Sequence, residues 1–158
     1  MEAIQNVHEK WGRLEGEFFF ELHRQVISFV CLEEGHYLAF AARCVNYLNS
    51  LPDLVIDDAC EASIRYCNFC YSGEPELQVS PDHPRDILSL SGSPRLWVPQ
   101  PQSDNQPIAV LEWNCEWEVE HGMLWIIRED QVFFVGPANL GESLWGDFFF
   151  GEDEFNYA

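Results

Sequence analysis

Two apolar periods divide the chain. Apolar residues recur at three- and four-residue steps over the first half and at two-residue steps over part of the second. In "GEFFFELHRQVISFVCLEE", Phe18, Leu22, Val26 and Phe29 fall near one helical face, with Phe19, Ile27 and Val30 widening the stripe. That spacing predicts a first helix, ended at Gly35. "HYLAFAARCVNYLNSL" places Leu38, Ala41, Val45 and Leu48 at helical steps and stops before Pro52, which predicts a second. "LPDLVIDDACEASIRYCNFCYSG" opens with Pro52 and the acids Asp53, Asp57 and Asp58, closes on Gly73, and puts Ile56, Cys60, Ser63, Cys67 and Cys70 on one stripe, which predicts a third.

From Glu74 to Gln106 the texture changes. Pro75, Pro81, Pro84, Pro94, Pro99 and Pro101 mark turns and extended chain, "LWV" at 96–98 reads as a short strand, and "PQPQSDNQP" at 99–107 as an exposed loop. Beyond it, "IAVLEWNCEWEVE" alternates: Leu111, Trp113, Cys115, Trp117 and Val119 on one side, Glu112, Asn114, Glu116, Glu118 and Glu120 on the other. "HGMLWIIRED" and "QVFFVG" read as two further strands, with reversals near Gly122 and Glu129-Asp130. The expected fold is therefore α+β: an N-terminal unit of about three helices, residues 1–73, packed on a C-terminal antiparallel meander, residues 86–150.

With 158 residues, 47% of them apolar and 15% aromatic, the chain can bury one core and reads as a single domain, 1–158. Its charge is lopsided: 27 acids against 8 Lys and Arg give a formal charge of -19. From residue 96 onward twelve acids face a single base, Arg128, a local charge of -11. Such a field repels phosphate backbones and anionic lipid surfaces, so neither nucleic acid nor membrane is an expected partner. It steers a cationic protein inward, at a rate that falls with salt.

Six cysteines stand at 31, 44, 60, 67, 70 and 115. The opening "MEAIQNVHEK" carries no basic region followed by an apolar segment, and no apolar run is long enough to span a bilayer. Reduced thiols in a cytoplasmic protein are expected. The pair Cys67 and Cys70, with Cys60 on the same stripe, lacks the second ligand pair of a zinc site and reads as thiols packed in a helix interface.

The segment "NCEWEVEHGM" at 114–123 is the densest in reactive groups. Alternation predicts Glu112, Glu116, Glu118 and Glu120 on one face, a line of charge suited to a basic partner, with His121 and Gly122 forming a turn. The tail "GESLWGDFFFGEDEFNYA" sets Trp145 and Phe149 among Asp147 and Asp153, the aromatic anchors and acids that would complete such a surface. The competing class is an enzyme or metal protein centred on Glu116, Glu118, Glu120 and His121. No nucleophile elbow, metalloprotease helix pair or phosphate-binding glycine loop accompanies that cluster, so the expectation is a non-enzymatic binding protein without a cofactor, a homodimer being left open.

"CEWEVEHGMLWIIREDQVFFVG" resembles an uncharacterised group of small bacterial domains whose core reads Cys-Glu/Asp-Trp-x-x-Glu-His-Gly, followed by an apolar strand and a strand ending in Val-Gly. The motif falls on Cys115, Glu116, Trp117, Glu120, His121 and Gly122. "AARCVNYLNSLPDLVIDDACEASIRYCNFC" also looks like longer members, so the resemblance covers about residues 35 to 140. Some such acidic domains resemble immunity proteins of bacterial toxin systems. The resemblance thus implies a cognate toxin as the basic partner, neutralised by steric occlusion.

Overall fold

A computed structural model describes residues 3–35, 37–138, 144–145 and 155–158. The chain opens with strands, not helices: β1 (Gln5–Lys10), β2 (Arg13–Phe20) and β3 (Gln25–Cys31) precede α1 (Leu38–Asn49) and α2 (Asp53–Cys70). Two 3-10 segments, Pro75–Leu77 and Pro84–Leu90, lead to β4 (Arg95–Val98), β5 (Ala109–Cys115), β6 (Glu118–Arg128) and β7 (Gln131–Gly136). All seven strands form one sheet in chain order.

This overturns the expected helical N-terminal unit over a C-terminal meander. The first expected helix is the β2–β3 hairpin, and α1 and α2 are the second and third. Leu14, Gly16, Phe18 and Phe20 are buried while Phe19 is exposed, so burial in β2 follows the period of two. Three consecutive phenylalanines satisfy both periods, which is why spacing alone favoured a helix there. Arg24, at φ +52°, sits in the reversal that separates the strands.

The helices lie mid-chain because of one parallel pair. β3 and β4 run parallel, whereas every other neighbouring pair is antiparallel. A parallel pair needs a long crossover, and α1 and α2 supply it while covering one face of the sheet. Across that face Phe29, Leu96, Leu111, Trp125 and Val135 align in register. All are almost fully buried, as are Phe40, Ala41, Cys44 and Val45 of α1 and Ala59, Cys60, Ala62 and Tyr66 of α2. The Trp125 indole N–H donates to Ser63 Oγ at 2.9 Å, and Ser63 Oγ donates on to Ala59 O at 2.7 Å, so the sheet is hydrogen-bonded to α2 through its core.

The opposite face is buried at Val110, Leu124, Ile126 and Phe134 and open at β2–β3, where Phe19 and Val26 stand across from each other. The outer edge of β7 is closed by the C-terminal residues. Tyr157 donates its backbone N–H to Val135 O at 2.8 Å, and the Asn156 amide bonds to Phe133 O and Val135 N. Closing an edge in this way removes a template for unwanted strand pairing.

Candidate functional site

The expected single strand through residues 111–120 is two strands and a turn. β5 ends at Cys115, which pairs with Glu118 across the two-residue reversal Glu116-Trp117. Trp117 is turned inward and meets Tyr66 edge-on, ring centres 6.1 Å apart. Pairing resumes only at Trp113 with Met123, so Val119–Gly122 bulge out opposite Asn114.

Gly122 is the residue that allows the bulge. Its φ is +67°, and a Cβ there would lie 2.4 Å from Trp113 O. His121 and Gly122 are thus part of a bulge inside β6, not a strand-to-strand turn. The Glu118 carboxylate caps the same bulge. It accepts from the backbone N–H of Glu120 at 3.1 Å and of His121 at 3.3 Å, and lies 3.3 Å from His121 Nδ1. Desolvation works to raise the Glu118 carboxyl, but the hydrogen bonds from His121 and Glu120 outweigh it and hold the group below its ordinary value.

The four glutamates therefore do not share a face. Glu112 stays on β5, half-buried and paired in register with Arg95 of β4. Glu116 is exposed in the turn, and Glu118 and Glu120 belong to the bulge. Ligand atoms of Glu118, Glu120 and His121 lie within 4.8 Å of one another, the one group of three or more potential metal ligands among the described residues. A divalent ion there would compete with the backbone N–H groups that already occupy the Glu118 carboxylate.

Aromatic groups adjoin these acids, though only some of the expected ones. Tyr157 stacks on Tyr66, centres 5.0 Å apart, and packs against Phe69 at 5.5 Å. Tyr66 in turn donates its hydroxyl hydrogen to Gly122 O at 3.1 Å, linking α2 to the bulge. Phe69 remains 58% exposed and Val119, in the bulge, 84% exposed. Trp145 is tied elsewhere, its indole N–H donating to Gln100 O at 3.2 Å and its carbonyl accepting from Arg128. Asp147, Phe149 and Asp153 lie outside the described residues.

Phe69 escaped the sequence reading, although it sits off the buried stripe of α2, and a large apolar residue off such a stripe is the signal to look for. Val119 gave no signal, because alternation assigned it to the interior.

The thiols under this end are held protonated. Burial pushes Cys67 up to about 11 and Cys115 to about 12, and raises the half-buried Cys70 as well. All six cysteines are free. No helix among the described residues is long and apolar enough to cross a membrane.

Fold and site together define a two-layer α+β domain with an acid-rimmed aromatic end. The chain matches, over residues 3–142, the model of a family described as a domain of unknown function (DUF6985), and it belongs to that family. No curated protein matches it, and no solved structure does.

Proposed function

We propose that this domain is a non-enzymatic binding protein that docks a basic protein at the acid-rimmed aromatic end, as an immunity protein occludes its cognate toxin. One observation carries the reading. Phe69 and Val119 expose apolar surface at the end where Glu116 and Glu120 stand exposed, and neither acid forms an ion pair among the described residues. Apolar anchors within unpaired charge of one sign are what a cationic partner needs: the anchors supply affinity, the acids steer the approach.

The mechanism is steric. Lys and Arg of the toxin meet Glu116, Glu118 and Glu120, an apolar partner group covers Phe69 and Val119, and the toxin's own site is closed to its substrate. Asp147 and Asp153 belong to the same proposed surface by their place in the acidic tail of the sequence, and Glu112 adds negative charge from β5. The six free thiols fit the reducing cytoplasm that this reading requires.

The test is co-expression with whichever neighbouring gene product arrests growth when expressed alone. The wild-type chain should rescue growth and bind that protein by calorimetry, with affinity falling as salt rises. Phe69→Ala with Glu116→Gln should lose both. Rescue and binding that survive this double substitution would sink the assignment of the surface, and the lack of any basic partner would sink the function.

A further inference from the structure

The β1–β2 turn breaks two local rules at once. Trp11 and Gly12 are its central residues, with φ of +55° and +78°, and Lys10 pairs with Arg13 to close it. Positive φ at both central positions belongs to the tight hairpin turn that Asn, Asp and Gly ordinarily fill. A bulky side chain is strained there, and this one is 84% exposed with no hydrogen bond or ring contact among the described residues.

Directly opposed like charges are also unfavourable across a strand pair. Neither Lys10 nor Arg13 forms an ion pair among the described residues. In a chain with 8 Lys and Arg against 27 acids, two of the cations flank its most exposed tryptophan. Local rules broken without an intramolecular gain mark a surface built for something else.

A complementary feature lies at the far end of β2. Phe20, Leu22, Leu48, Ile56 and Trp125 wall a cavity of about 230 Å³ that carries Glu21 and Asp53 at its rim. Pockets for drug-sized ligands span roughly 300–1,000 Å³, so this smaller cavity is on the scale of one side chain. Arg85 also reaches the rim, but it is held by Asp53 at 2.9 Å and Asp57 at 2.7 Å, which leaves the entrance net negative with Glu21.

We propose that these two features dock in trans between two copies of the chain. Trp11 of one copy enters the cavity of the second, with Lys10 and Arg13 against Glu21 and Asp53, and the second copy returns the same contact. The eight residues of β2 set finger and cavity roughly 25 Å apart, too far for a chain to fill its own cavity. A two-fold axis beside β2 satisfies both contacts at once, with no open end left to polymerise. β1, exposed at all six positions, lies along the span between them. Phe69 and the acids of the β5–β6 bulge take no part, so the basic partner and the second copy use separate surfaces.

Sedimentation velocity over a concentration series tests this on the full chain. The wild-type mass should rise from 18.3 kDa toward twice that value, and the rise should weaken with added salt. Trp11→Ala and Arg13→Glu should each remain monomeric with unchanged far-ultraviolet circular dichroism. Glu21→Lys should be monomeric alone, and combining it with Arg13→Glu should restore the dimer. A wild-type chain that stays monomeric up to about 1 mM overturns the proposal. So does a dimer that persists in Trp11→Ala, or a charge swap that restores nothing.

Discussion

Tyr66 on α2 donates its hydroxyl hydrogen to the backbone carbonyl of Gly122, 56 residues along the chain, across 3.1 Å of buried contact. The bond holds the β6 bulge against the helix, and Gly122 holds it from within. Substituting Gly122→Ala forces a Cβ toward Trp113 O at positive φ, and such strain costs about 1–3 kcal/mol. Tyr66→Phe removes one hydrogen bond and should cost about 1 kcal/mol. Urea unfolding should rank them in that order, and equal midpoints would mean that the bulge relaxes freely.

The bond between Trp125 and Ser63 places a second demand on the core. Ser63→Ala deletes the acceptor and leaves the indole N–H buried, an expected loss of about 1–3 kcal/mol. Adding Trp125→Phe to Ser63→Ala removes the orphaned donor as well, so the double mutant should lose less than the two single losses combined. A double-mutant cycle by thermal or chemical unfolding measures that coupling, and strict additivity would contradict it.

Sequence periodicity found α1, α2 and β4 and placed β5, β6 and β7 in the right stretch. It failed where one residue run satisfies two patterns. Phe18-Phe19-Phe20 fits a helix as well as a strand, and only the sheet decides by burying Phe18 and Phe20 and leaving Phe19 out. Alternation also ran unbroken across a chain reversal. Trp117 is buried although it is a turn residue, so its apolar character continued the strand pattern past Cys115. Glu120, His121 and Gly122 read as a turn in the sequence, whereas the extra residues of a bulge are defined only by the strand opposite. Phe69 and Tyr157 come together through tertiary contact, which no local period encodes.

Stability should depend on pH in two windows. His23 packs between Phe20 and Trp113, 5.8 and 5.1 Å between ring centres, and burial lowers its basicity below the ordinary 6.5. The folded state thus favours the neutral ring. That contribution is complete above pH 6.5 and is lost as the pH falls from there toward the lowered folded value. Glu118 favours its charged form in the fold, so its contribution is complete above its ordinary 4.5 and disappears as the pH falls through the depressed folded value. Unfolding midpoints measured across both windows should show two declines, with His23→Gln removing the upper and Glu118→Gln the lower. A profile unchanged by both substitutions would assign the acid sensitivity to other groups.

Thiol reactivity separates the surface from the core. Burial pushes Cys44, Cys60 and Cys115 up to about 12 and Cys31 and Cys67 to about 11, so almost none of these groups is thiolate at neutral pH. Cys70 is raised too, but it alone is half-buried, at the last turn of α2. Titration of the native protein with a colorimetric disulfide reagent should therefore give one slow equivalent, abolished by Cys70→Ser. Six equivalents should appear on unfolding. Several fast equivalents in the native state would mean that the helical layer opens readily over the sheet, since the thiolate needs both solvent and a lowered pKa to attack.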